Sequence, residues 1–225
     1  MPLFVIATPI GNLEDITFRA VRTLKEADII LAEDTRVAAK LLAHLGITGK
    51  IVLRYDEHSH ARMLERVQDG LKAGRNIALT TDAGTPGISD PGARLVAALR
   101  QTYRQVCRFV PIPGPSAVTT LLSVSGFKAD SYFFAGFPPH KKGRTGFFES
   151  LATHNETVVF FESVHRILKT LDDLARVYHS DRCICVGREL TKVHETIHVG
   201  TLAEVTAAIT SDTLKGEFVI AISPR

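Results

Sequence analysis

The sequence predicts an α/β protein made of two α/β domains, on three observations. Strand-length apolar runs alternate with longer amphipathic segments through the first half, a proline-rich break falls at residues 111–115, and two successive strand patterns in the second half have no helix between them. Alternation of βαβα type argues for a mainly parallel sheet covered by helices. Strands that follow one another directly argue for antiparallel pairs in a mixed sheet. The domains are accordingly placed at 1–113 and 114–225.

In the first half the order is Leu3–Ala7, about Asp15–Glu26, Ile29–Ala32, Arg36–Leu45, Ile51–Arg54, His60–Ala73, Ile77–Thr80, Gly92–Gln101 and Val106–Val110. Gly46 and Gly74 fall where helix C-caps are expected, which supports two of those boundaries. Three prolines in Pro111-Ile112-Pro113-Gly114-Pro115 are expected to continue neither helix nor strand. The second half begins with an apolar helix at Ala117–Ser125. It continues with Tyr132–Ala135, Thr157–Phe161, a helix at Val164–Tyr178, Cys183–Val186, Glu195–Val199, Leu202–Ile209 and Glu217–Ile222.

With 225 residues, 45% of them hydrophobic and 23% charged, the composition is that of a globular protein with a substantial core. The longest apolar runs are strand-length, and the apolar opening Met1–Ala7 lacks the basic flank of a signal peptide. A cytoplasmic location is the default expectation. Cys107, Cys183 and Cys185 sit in apolar β-like runs and read as buried hydrophobes rather than ligands or bridges. A net charge of +3 is compatible with a nucleic-acid partner without requiring one.

In open α/β sheets ligands bind beyond the carboxyl ends of the strands. Four segments in such positions are unusual. The first is Thr8–Asn12. The second is Thr81–Gly92, with three glycines, two prolines and two aspartates in twelve positions. Its glycines permit close backbone approach to a ligand, its prolines stiffen the loop, and Asp82 offers a carboxylate to an amine or a ribose hydroxyl. The third is Pro113–Ala117, where Ser116 can cap the following helix and aim backbone N–H groups at a ligand. The fourth is the charged run Gly187–Lys192. Against these stand blander readings: an irregular connection, an interdomain linker and a solvated charge cluster. The sequence contains no G-x-G-x-x-G after the first strand, no G-x-x-x-x-G-K-[ST] and no G-x-S-x-G. Nothing therefore argues for a dinucleotide dehydrogenase, a P-loop NTPase or an α/β-hydrolase.

Seven segments carry a resemblance: Ala7–Thr17, Ala32–Arg36, Asp82–Gly92, Pro113–Ala117, Phe161–Ile167, Arg188–Lys192 and Lys215–Glu217. In order and across essentially the whole chain, they resemble the ribosomal RNA small subunit methyltransferase I family of the tetrapyrrole methylase (class III methyltransferase) superfamily. The resemblance implies a homodimer, with S-adenosyl-L-methionine folded into a cleft between the two domains. It also implies 2′-O-methylation of a cytidine in the decoding region of 16S rRNA, hence the small ribosomal subunit as partner. Carried over by motif, the cofactor residues are Pro9, Ile10, Gly11, Asp82, Ala83, Gly84, Thr85, Ser116, Ala117, Phe161 and Leu190. Two features depart from the pattern: Val164 stands where members more often have proline or threonine, and the sequence ends at Arg225, where many members continue into a basic helical extension.

Other functions compete. A methyltransferase of the same fold could act on a tetrapyrrole or diphthamide precursor, and an inert RNA-binding module is a further reading. His194-Glu195-Thr196-Ile197-His198 matches the zinc-protease pattern H-E-x-x-H. That pattern grips a metal only on a helix, and these residues alternate like a strand, which would set the histidines about 13 Å apart at roughly 3.3 Å per residue. No metal is expected. For methyl transfer the protein must hold the ribose oxygen in line and help remove its proton. The catalytic candidates are Arg188, to orient the substrate, and Glu189 or Lys192 as base, with Glu33 and Asp34 more remote. Lys192 would need its pKa depressed, for example by Arg188, and Glu189 would need desolvation. The competing reading is an ion-pair network that fastens the two domains. Lys141, Lys142 and Arg144, around Gly143, are expected to hold RNA phosphates, against the alternative of a solvated turn.

Overall fold

Strands β1 (Pro2–Ile6), β2 (Ile29–Ala32), β3 (Ile51–Arg54), β4 (Ile77–Leu79) and β5 (Arg108–Ile112) form a wholly parallel sheet in the order β3-β2-β4-β1-β5. The computed structural model describes residues 1–56, 59–211 and 214–225. These divide into two compact units, Met1–Ser116 and Ala117–Arg225.

The first sheet is covered on both sides, so its inner strands are apolar on every residue rather than alternating. Ile30 and Ala78 point toward helices α1 (Phe18–Glu26) and α2 (Thr35–His44), where they pack with Ala20, Leu24 and Leu42. Ile29, Leu31, Ile77 and Leu79 point to the other face and pack with Met63, Val67 and Leu71 of α3 (His60–Lys72) and Leu95 and Leu99 of α4 (Ala93–Thr102). Neighbouring strands β1 and β4 thus send their outgoing helices, α1 and α4, to opposite faces. Their carboxyl ends open a crevice of the kind that ligands occupy in such sheets.

Helix ends follow the sequence closely. Gly46 and Gly74 take positive φ just beyond α2 and α3, and the next N–H groups reach back, Ile47 to the Leu42 carbonyl and Arg75 to that of Gly70. Pro111 corrects an expectation, because it lies inside β5, opposite Val5. β5 is the edge strand beside β1, and an edge strand loses no ladder bond to a proline whose missing N–H would face outward.

In the second unit, β6 (Tyr132–Phe134), β7 (Thr157–Ser163), β10 (Glu217–Ile222), β8 (Cys183–Arg188) and β9 (Thr196–Thr201) run in the order β6-β7-β10-β8-β9. Only the β6–β7 pair is parallel. Its helices are α5 (Ala117–Ser125), α6 (Arg144–Leu151), α7 (Ile167–Val177) and α8 (Leu202–Ser211). Phe148, Phe160, Leu171, Leu174, Val186, Ile209 and Ile220 share one core. The sequence reading contains no element at α6, and it starts α7 three residues early, because Val164–Arg166 form a turn after β7. Of the cysteines, Cys107 and Cys185 are buried, and burial pushes the Cys185 thiol up to about 11. Cys183 is exposed, against expectation, since it is the first residue of β8, where the sheet's cover ends.

Candidate active site

The crevice end of the first unit joins three of the four unusual segments. Thr8, just past β1, forms an isolated antiparallel bridge with Gly84: the Thr8 N–H donates to the Gly84 carbonyl at 2.9 Å and the Gly84 N–H returns a bond at 3.1 Å. The buried Thr8 hydroxyl donates to the Thr81 carbonyl at 3.1 Å. Gly84 has a φ of +78°, and a side chain there would meet Ile10 Cγ2 at 3.5 Å and the Pro115 carbonyl oxygen at 3.9 Å. Pro9, Ile10 and Gly84 are buried, Gly11, Asp82 and Ala83 are exposed, and Thr85 is half-buried with its hydroxyl 3.5 Å from the Pro115 oxygen. The result is a rim of bare backbone carrying one carboxylate, converging from β1, β4 and β5. Ser116 closes this unit, and Ala117 is the first residue of α5.

The loop after β2 contributes Glu33 and Asp34. The Asp34 N–H donates to Asp82 Oδ1 at 2.9 Å, and the Asp34 carboxylate is itself held by Arg36 at 2.5 Å. That guanidinium keeps the Asp34 carboxyl well below the usual carboxylate range. Burial raises Glu33, helped by the negative charge of Asp82. Partial desolvation of its carboxylate also raises Asp82, although the residue is largely exposed, with the Asp34 N–H opposing and the Asp34 charge assisting. Two carboxylates with an elevated affinity for protons therefore sit at the strand ends.

The fourth segment sits in the second unit and is more tightly built than a solvated charge cluster. Ser89, Glu189 and Thr191 are the three non-glycine residues with positive φ among the described residues, so all three lie in segments already singled out. Such backbone costs about 1–3 kcal/mol per residue and persists where the surroundings over-determine it. Here Lys192 Nζ pairs with Glu189 Oε1 at 2.8 Å and Glu217 Oε2 at 2.9 Å, while the Glu217 N–H donates to Glu189 Oε1 at 3.0 Å. Any side chain at Gly216, φ +94°, would fall on the Glu189 carboxylate, which explains Lys215-Gly216-Glu217 as the other half of this lock.

These bonds bear on the choice of base. Burial pulls the Lys192 ammonium down, but the hydrogen bonds to Glu189 and Glu217 outweigh it and the net shift is upward. Burial lifts Glu189, yet the Lys192 ammonium and the Glu217 N–H carry it below its ordinary value. Neither group moves in the direction a general base needs. The network joins the end of β8 to the start of β10, within one unit. Arg188 lies in β8 rather than after it, buried, with Nε donating to Thr196 Oγ1 at 3.1 Å. Leu190 is buried, and a side chain at Gly187 would collide with Leu190 and Leu121, both at 2.8 Å.

Phe161, in β7, is half-buried between Phe134 and Phe137. The basic loop divides: Lys141 and Lys142 are exposed, whereas Arg144 turns inward and is 4% exposed. Arg144 Nε meets Asp173 at 2.7 Å, its Nη2 donates to Thr170 at 2.6 Å, and its Nη1 lies 3.7 Å from Glu162. Arg166 meets the other Glu162 oxygen at 2.8 Å. Arg144 is thus occupied by buried acids and is withdrawn from the phosphate-binding set. Glu162, Thr170 and Asp173 went unassigned in the sequence, where nothing links Arg144 to a residue 29 positions away. His198 of the H-E-x-x-H match lies in β9 opposite Val186 and His194 in the turn before it, so the two histidines do not share a helix face.

A family model described as Tetrapyrrole (Corrin/Porphyrin) Methylases matches residues 2–206. The chain belongs to that family. It is 46% identical, over 98% of its length and 78% of the relative's, to the ribosomal RNA small subunit methyltransferase I of Synechocystis sp.. It is 41% identical to the protein of that name from Escherichia coli O157:H7, over 98% and 77%. Among solved structures it is similar to the cobalt precorrin-4 methyltransferase CbiF, at TM-score 0.73 and 18% identity over 99% of this chain and 94% of the other. It is also similar to a diphthine synthase, at TM-score 0.71 and 11% identity over 99% and 90%. Such distant likenesses show the tetrapyrrole methylase fold. The family and the near relatives together make the chain a methyltransferase. No described helix is long and apolar enough to cross a membrane.

Proposed function

We propose that this protein methylates the 2′-hydroxyl of a cytidine in 16S rRNA, taking the methyl group from S-adenosyl-L-methionine and acting on the small ribosomal subunit as a cytoplasmic homodimer. The observation that carries the reading is identity of 41–46% across nearly the whole chain to relatives named for rRNA methylation. The likeness to tetrapyrrole and diphthine enzymes, at 11–18% identity, favours no substrate of theirs.

The residues at the first unit's strand ends fit such a cofactor. It offers an ammonium, ribose hydroxyls and an adenine edge. The crevice offers bare backbone at Thr8–Gly11 and Asp82–Thr85 and the carboxylate of Asp82. Ser116, Ala117, Phe161 and Leu190 complete the proposed cofactor set. When bound, the cofactor supplies a methyl group on a cationic sulfur. The chain's own part is to orient the ribose and accept its proton. Glu33, raised by burial, fits proton transfer better than Glu189 or Lys192, and the rigid Arg188–Lys192 turn fits a positioning role. Lys141 and Lys142 are proposed phosphate contacts.

Small ribosomal subunits lacking the modification, incubated with the protein and methyl-labelled cofactor, test the reading. Label in one cytidine ribose, detected as a hydroxide-resistant linkage, is the expected outcome. Label on a base, or none in RNA beside turnover of a tetrapyrrole, overturns it.

A further inference from the structure

Phe161 supports two rings, Phe134 at a centroid distance of 5.0 Å and Phe137 at 5.3 Å. Phe137 is 51% exposed. A single exposed aromatic is ordinary, but the backbone presenting this one is unusually constrained. The Ala135 N–H donates to the Val159 carbonyl at 2.9 Å, and the Phe161 N–H donates to the Gly136 carbonyl at 2.8 Å. Beyond the ring, Arg166 Nη1 donates to the Pro138 carbonyl at 2.8 Å and Arg144 Nη1 to the Pro139 carbonyl at 3.1 Å. Glu162, 1% exposed, and Asp173 balance those two arginines, so the clamp presents little charge of its own. The exposed charge follows at once, in Lys141 and Lys142.

An aromatic face held rigidly in water, with a run of cations next to it in the chain, is the pairing that binds single-stranded nucleic acid: bases stack on the ring and phosphates meet the cations. We propose that Phe137 is a stacking platform for an unpaired base of the RNA substrate, and that the Arg144–Glu162–Arg166–Asp173 cluster is the positioning device that holds it outward. The inference rests on the RNA reading given above. A phenylalanine has no hydrogen-bonding edge, so the platform accepts any base, and choice of the target nucleotide lies elsewhere.

The test uses the full chain and a short fluorescein-labelled single-stranded oligoribonucleotide, with anisotropy read across a salt series and cofactor affinity measured by calorimetry. Phe137→Ala is expected to weaken RNA binding about 5- to 100-fold, the range for loss of one stacked base. Its salt slope and cofactor affinity stay those of the wild type, and Phe137→Tyr restores binding. Lys141→Ala/Lys142→Ala flattens the salt slope instead. Wild-type RNA affinity in Phe137→Ala overturns the inference alone, as does a loss of cofactor affinity in its place, which would assign the ring to the cofactor. A wild-type protein that binds no oligoribonucleotide also overturns this inference, while the reading it rests on stands or falls with the methylation of small subunits.

Discussion

Glu33 illustrates how a site residue can work against the fold that carries it. Its carboxyl is raised by burial and by Asp82, so the folded chain binds its proton more tightly than the unfolded chain does. The stability it contributes is complete below the ordinary value of 4.5 and is lost as pH rises through the raised one. Glu33→Gln removes that dependence. Thermal unfolding should find the variant level with the wild type near pH 4 and more stable at pH 8, while its methyl-transfer rate at pH 8 falls. A variant that is less stable at both pH values would mean that the carboxylate makes a stabilising bond. Gly84 poses the opposite case, because its bridge to Thr8 holds it at a positive φ that a branched side chain adopts only under strain. Gly84→Val should cost about 1–3 kcal/mol from backbone strain and remove cofactor binding, measured by calorimetry on the folded variant. Retained affinity would take the loop out of the site.

Two charge networks in the second unit contrast at the scale of elements. The Glu189–Lys192–Glu217 lock is partly open to solvent, so Lys192→Ala should cost no more than about 1 kcal/mol. The Arg144–Glu162–Arg166–Asp173 cluster is buried and joins α6, α7 and β7. Removing Glu162 would leave the mostly buried Arg166 without its carboxylate and Arg144 with Asp173 alone, so Glu162→Ala should cost about 3–5 kcal/mol in denaturant unfolding. A loss under 1 kcal/mol would show that water reaches the cluster. This difference also marks what the sequence makes legible. The inner strands of both sheets and the glycine-ended helices are visible because burial and capping are local in the chain. α6 is not, since its eight residues include Gly146 and adjacent phenylalanines and show no clear helical period. Arg144 reads as a surface cation because the partners that bury it arrive from α7 and β7. The convergence of Thr8, Gly84 and Pro115 was visible only as three loops after three strands, and their bridging is a product of the sheet order.

For the whole molecule, the proposed cofactor residues fall in both units: Pro9 to Gly11, Asp82 to Thr85 and Ser116 in the first, Ala117, Phe161 and Leu190 in the second. A ligand stabilises whatever must be folded to bind it, by about 2.7 kcal/mol at a hundredfold excess over Kd. Saturation must therefore protect amides in the segments that bind the cofactor from hydrogen exchange, and must raise the unfolding temperature by an amount that grows with cofactor concentration. Protection at 8–12 and 81–92, the strand ends of the first unit, is the expected outcome, and Gly84→Val should abolish it. A saturated wild-type protein whose amides at 8–12 and 81–92 exchange as fast as without cofactor would remove the strand-end crevice as its site.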